Sequence, residues 1–298
     1  MKTALYTTVY PGVEPYLSAW SNSVKQQTDP MFDVWIGVDG LSTSQVHALI
    51  GKDLNATLVP GKPDDTPIQV RQRAILRIID EYTCIVFTDS DDVLFPTRVE
   101  AAKKNLQHED VHACSMKLMR HDGSDLHLTM PLSGKNAKVA TLARTNVLGL
   151  SNTAWRTKKL KACLPVPSEC VLMDWFLGTR AWIQGMKIHF DHEIHMWYRQ
   201  HAENTAQLLP PFTEAKVIKA TGLVMNHYRF VFNSEPQLPE NVRDMLEKEN
   251  LRITRFFNAI HESARTLSEY TDALNRLPVE LAWWWFVAHP KLEEIWNP

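Results

Sequence analysis

The 298-residue sequence predicts an α/β fold in which a central, mostly parallel sheet is flanked by helices and followed by a helical C-terminal extension. Three observations predict it. Up to about residue 100, short β-rich runs alternate with helical patterns, as crossover connections between parallel strands require. The run CIVFT, Cys84 to Thr88, is apolar without alternation, as a strand covered on both faces should be. From about residue 211 onward the periodicity is helical.

The elements follow in order. Ala4 to Val9 is the first strand, and the turn at Pro11-Gly12 leads to a helix from Glu14 to Gln27 with Leu17, Trp20 and Val24 on one face. Phe32 to Val38 is the second strand and ends at Asp39-Gly40. Ser42 to Ile50 is helical, Ala56 to Val59 is a short strand, and the Pro/Gly/Asp-rich stretch 60–67 is a loop. Ile68 to Asp80 forms a helix carrying Arg71, Arg73 and Arg77, and CIVFT follows it. Short strands are expected around 111–119, 126–131 and 138–145, a helix over 171–184, and extended chain over 187–199. A Pro-containing break at 234–240 divides the later helices. This organisation suggests a catalytic domain over 1–208, with halves of about 1–100 and 101–208, and a helical region over 209–298.

Composition narrows the class. Hydrophobic residues at 44% and charged residues at 22% suit a folded core and argue against disorder. A net charge of -2 supplies no global field that would draw the chain to nucleic acid or anionic lipid, so neither partner is expected, although Lys158, Lys159 and Lys161 cluster locally. Cys84, Cys114, Cys163 and Cys170 lack CxxC spacing and read as thiols in a reducing, cytoplasmic setting. The opening MKTALYTTVYPG has too short an apolar run for a signal peptide and suits a first strand better. No apolar stretch reaches the ~20 residues of a membrane-spanning helix. The Trp-rich run LAWWWFVA, 281–288, is expected to be a buried helix packing the tail onto the domain, with a partner or membrane-interface contact as the alternative.

Three segments carry candidate chemistry. In FTDSDD, 87–92, the carboxylates of Asp89, Asp91 and Asp92 crowd the end of an apolar strand. Their repulsion is costly unless a cation or hydrogen bonds offset it, and hard oxygen ligands suit Mg²⁺ or Mn²⁺. The competing reading is a solvated turn capping the next helix. Asp174 lies among Leu172, Met173, Trp175 and Phe176, and apolar neighbours raise a carboxyl pKa towards that of a general base; a helix cap is the plainer reading. YRQHAEN, 198–204, brings a phosphate-clamping Arg199 near a metal-ligating His201. His189, His192 and His195 alternate faces on a strand, which favours structural roles over zinc. Asp39 at its strand end suits a nucleobase contact or a turn, and Arg71 and Arg73 suit phosphate or a solvated helix face.

The order of these motifs resembles family 2 glycosyltransferases of the GT-A fold over roughly residues 3–205. TVYPGVEPYLSAW with the following QQT is similar to the family's opening strand and helix, with Pro11 in place of Asn; VWIGVDG is similar to its VVDDGS strand, with Val38 in place of the first Asp. VRQRAI resembles ARNxGI, FTDSDDVLFPTRVE resembles the DxDD segment, and GLSNTAWRTKKL resembles the loop bordering the acceptor pocket. MDWFLGTRA resembles EDWDLWLRL, with Met173 and Phe176 replacing acidic residues, and YRQHAEN resembles YRxHxxN.

The resemblance implies a GT-A type nucleotide-diphospho-sugar transferase fold and a metal-dependent, inverting transfer from a nucleoside-diphosphate sugar, UDP favoured, to a glycan or glycoconjugate hydroxyl. It implies Asp174 as catalytic base, Thr8, Tyr10, Asp39, Arg71 and Asp89 around the donor, and Asp91 with His201 at Mn²⁺ or Mg²⁺, with Asp92 in support. Three alternatives stand beside it. They are a nucleotidyltransferase, disfavoured because PGVEP replaces a Gly-rich basic loop; an inactive sugar-nucleotide-binding protein; and an enzyme glycosylating modified nucleic-acid bases.

Overall fold

Parallel pairing begins at once. Strand β1 (Thr3–Val9), wholly buried, lies between β2 (Asp33–Val38) and β4 (Cys84–Phe87), and β3 (Ala56–Pro60) extends the edge beyond β2, all in parallel register. The architecture is that of a computed structural model describing residues 1–297, apart from the side chains of 135 and 136. The crossovers are α1 (Glu14–Lys25), α2 (Thr43–Ile50) and α3 (Pro67–Glu81). Capping boxes start two of them, Ser42 with Gln45 and Thr66 with Gln69, and Pro67 opens α3 where its missing N–H costs nothing.

Beyond β4 the sheet turns mixed. The order is β3-β2-β1-β4-β8-β6-β9-β5, with β7 paired to β6. The added strands are β5 (Val93–Leu94), β6 (Val111–Arg120), β7 (Asp125–Met130), β8 (Thr153–Arg156) and β9 (Ile188–Gln200). Helix α4 (Arg98–Asn105) precedes β6, and α5 (Thr157–Ala162) and α6 (Met173–Ile183) separate β8 from β9. β8 runs antiparallel to both β4 and β6, while β9 is parallel to β6. The carboxyl ends of β1, β4 and β9 therefore emerge on one side, and the loop entering β8 lies beside the end of β4. That convergence places the site.

Helices α7 (Glu214–Ser234), α8 (Glu240–Glu262) and α9 (Ala264–Leu274) form the C-terminal region with the short α10 (Glu293–Trp296), and residues 235–239 make the expected break. One buried core runs from β1 through Trp296. No described helix is long and apolar enough to cross a membrane.

Three local expectations need correction. Residues 138–145 are not a strand: Val139–Ala143 is a 3-10 turn whose Leu142 and Ala143 carbonyls accept hydrogen bonds from Trp175 Nε1 (2.8 Å) and Tyr228 Oη (2.7 Å). The segment before α5 supplies the unforeseen strand β8, a four-residue run held between β4 and β6 by ladders on both sides. LAWWWFVA is buried as expected but is not helical. Trp284 and Ala288 have φ of +67° and +45°, and Tyr270, Arg252 and Asn146 take its backbone groups for tertiary bonds.

Candidate active site

The acidic segment leaves β4 and is tied down from two sides. Ser90 Oγ donates to Thr8 O at 2.7 Å, stitching the segment to β1. Ser151, in the loop before β8, accepts from Asp89 N at 3.0 Å and donates to Asp92 Oδ2 at 2.6 Å. From β9, Arg199 donates its backbone N–H to Asp92 Oδ1 at 2.8 Å and its Nε–H to Asp91 O at 2.6 Å. Both oxygens of the buried Asp92 are thus bound within the protein, which makes it a brace for its neighbours.

Asp89, Asp91 and Asp92 bring one carboxylate oxygen each within 4.8 Å of one another. His201 Nε2 lies 2.7 Å from Asp91 Oδ2, and its ring stacks on Tyr16 at 5.3 Å between centroids. Burial, then the charge of Asp91, pushes the Asp89 carboxyl up to about 7, against the pull of Arg71. Burial and the charges of Asp91 and Asp89 raise Asp92 well above the ordinary carboxylate range, against the hydrogen bonds from Ser151 and Arg199. Crowded, desolvated oxygens of this kind fit a hard divalent cation, which would relieve their repulsion; Asp89, Asp91 and His201 are the groups able to hold it.

A cavity of about 150 Å³ opens over this cluster, and its walls include Tyr10, Arg71, Asp89, Asp91, Asp174 and His201. Asp174 comes from the first turn of α6. Its Oδ2 accepts from Asn146 Nδ2 at 2.9 Å, and its Oδ1 accepts from the Trp175 N–H at 2.8 Å. Burial pushes this carboxyl up to about 6; the Trp175 N–H, the Arg71 charge and the Asn146 amide restrain the rise. Met173 and Phe176, the departures at neighbouring positions, are buried in the core, so Asp174 is the carboxylate that this helix presents to the cavity.

The other sequence candidates divide. Tyr10 and Arg71 reach the cavity, and the Arg71 Nε is buried without a hydrogen-bond partner among the described residues. Arg73 does not; it pairs with Asp65, its Nη2 donating to Oδ1 at 2.8 Å. Thr8 turns its hydroxyl towards Tyr6 Oη, 2.9 Å away, and Asp39 ends β2 outside the cavity lining. Arg199 is no phosphate clamp, because its buried guanidinium also donates to the carbonyls of Arg120 and His121 at 3.3 and 2.9 Å. His195 and His112 both contact Asp191, His189 stacks on His112 at 5.9 Å between centroids, and the exposed His192 lies beside Glu193.

Among the lining or supporting residues that sequence reasoning missed are Asn146, Ser151, Trp283 and Trp284. Ser151 sits inside the motif GLSNTAW and was legible there as loop; nothing in spacing marks the others.

No protein-family model and no curated protein sequence matches this chain. Solved structures do. S. aureus TarS, residues 1–349, superposes with a TM-score of 0.60 at 18% identity over 92% of this chain and 79% of that one. The same protein in complex with UDP-GlcNAc gives 0.57 at 15% identity, covering 92% of each chain. The mannosyltransferase PcManGT from Pyrobaculum calidifontis, in complex with GDP-Man and Mn²⁺, gives 0.60 at 13% identity over 93% of this chain and 76% of that one. The chain has the fold of these proteins. At such identities the likeness establishes the fold, and chemistry has to be argued from the side chains.

Proposed function

We propose that this chain is a metal-dependent, inverting glycosyltransferase that moves a sugar from a nucleoside-diphosphate sugar, UDP favoured, to an acceptor hydroxyl of a glycan or glycoconjugate. One observation carries the reading: a single cavity has Asp89, Asp91 and Arg71 in its walls together with Asp174, a desolvated carboxylate held by directed hydrogen bonds. Neighbours of the same fold in complex with UDP-GlcNAc, or with GDP-Man and Mn²⁺, support it.

Asp174 takes the proton of the acceptor hydroxyl as its oxygen bonds to the anomeric carbon and the carbon–phosphate oxygen bond breaks. The nucleoside diphosphate leaves from the opposite face, so one displacement inverts the centre. Arg71 sets positive charge beside the diphosphate, and Asp89 and Tyr10 line the donor. A divalent ion held by Asp91 with His201 would supply Lewis-acid neutralisation of the departing charge. Asp92 and Ser151 hold the acidic segment, and Arg199 buckles it to β9.

A thermal-shift panel of nucleotide sugars with and without Mn²⁺ tests the proposal, because a ligand that binds only the folded state raises the melting temperature by mass action. One nucleotide sugar should stabilise selectively, only with the metal, and should then be consumed with an acceptor. Stabilisation by nucleoside triphosphates with pyrophosphate release would replace it with nucleotidyl transfer.

A further inference from the structure

The tryptophan-rich tail reaches the reacting groups by a short route. Trp283 and Asn146 exchange backbone hydrogen bonds, Asn146 N to Trp283 O at 3.2 Å and Trp283 N to Asn146 O at 3.0 Å. Asn146 is fully buried; its side-chain oxygen accepts from Leu148 N at 3.0 Å and its amide donates to Asp174 Oδ2 at 2.9 Å. The Trp283 indole packs edge-on against Tyr198 and donates to its hydroxyl at 3.3 Å. It also covers Gly149, where an added Cβ would come within 2.5 Å of the indole ring. Trp284, next along and held at φ +67°, shares the cavity wall with Trp283. A non-glycine residue in that conformation persists only where its surroundings over-determine it.

We propose that Trp283 is a positioning residue for Asp174: its backbone bridge fixes Asn146, whose amide orients the carboxylate, and its indole seats on Gly149 to keep that bridge registered. The C-terminal segment is then part of the reaction centre as well as packing. A carboxylate acting on a hydroxyl proton must be held in narrow geometry, and a misplacement of about 1 Å originating away from the chemistry costs on the order of 10²-fold. Among the described residues, the charged and titratable groups facing Asp174 are Arg71 from α3, Asp89 after β4 and Cys170 before α6, and none of these belongs to the tail.

The proposal rests on Asp174 being the base, so its test separates the two ideas. In protein carrying ¹³C-labelled aspartate carboxyls, with Asp174 assigned through Asp174→Asn, the Asp174 resonance should titrate at higher pH in Trp283→Ala than in wild type, because the Asn146 amide no longer favours the charged form. Gly149→Ala, which displaces the indole while leaving it intact, should do the same, and Trp283→Phe, which keeps ring and bridge, should restore the wild-type titration. Turnover should fall about 10²-fold in the first two variants, its acid limb moving upward with the resonance, while affinity for UDP with Mn²⁺ is unchanged. Unaltered Asp174 titration in folded Trp283→Ala and Gly149→Ala overturns the positioning role. A moved resonance without a moved acid limb upholds that role and removes Asp174 as the base.

Discussion

Two clusters of carboxylates and imidazoles occupy the same sheet, and they differ in balance. At the end of β4, three carboxylates share few donors: Asp92 is satisfied, but Asp89 is pushed upward by burial and by Asp91. On β9, one carboxylate is surrounded by donors. Asp191 Oδ2 has His112 Nε2 at 3.0 Å, His195 Nε2 at 3.5 Å and Asn105 Nδ2 at 3.5 Å, while Oδ1 accepts from Glu193 N at 2.9 Å. Burial works to raise this carboxyl, yet the bonds from His112 and His195 hold it far below the ordinary range. Arg98, fully buried, closes the cluster by donating to Thr153 O at 2.9 Å and approaching His112 Nδ1 at 3.4 Å. Charges in excess of donors suit a cation, whereas donors in excess of charges suit internal structure.

Substitutions can break that contrast. The largest effect belongs to Asp91→Ala, which should abolish metal-dependent transfer and remove the Mn²⁺ stabilisation of about 2.7 kcal/mol that an ion at a hundred times its Kd would give, read by thermal denaturation. Stabilisation by Mn²⁺ that survives this change would move the ion elsewhere. Asp174→Asn should cut turnover by ~10²- to 10⁴-fold while calorimetry finds donor affinity unchanged. In the wild type, turnover should fall as the pH drops through about 6, because a base works only when deprotonated. A pH-independent rate between 5 and 8 would take the proton transfer away from this group.

The structural cluster should answer differently. Asp191→Asn is expected to lower stability by about 1–3 kcal/mol in urea unfolding, leaving buried donors short of an acceptor, with turnover of the folded fraction intact. A selective loss of turnover would erase the distinction between the clusters. The smallest effect is reserved for the arginine pair on α3. Arg73→Ala should leave donor affinity unchanged, since its partner is Asp65, whereas Arg71→Ala should weaken it.

How much was written in the chain itself follows from the range of the forces. Periodicity and caps are local, so β1 to β4 with their crossover helices, the strand ending in FTDSDD, the helix bearing Asp174 and the break between α7 and α8 were legible residue by residue. The placing of Asp91, His201, Arg71 and Asp174 around one cavity was foreshadowed by motif order. What needed the folded chain was every feature in which distant segments compete for the same backbone groups. Strand β8 exists because β4 and β6 take its hydrogen bonds, residues 139–143 turn because Trp175 and Tyr228 claim their carbonyls, and the tryptophan run refuses a helix because Asn146, Tyr270 and Arg252 bind it instead. Hydrogen-bond partners separated by a hundred residues or more leave no period in a sequence, so Arg199 as a buckle and Trp283 beside the base were decided by tertiary packing alone.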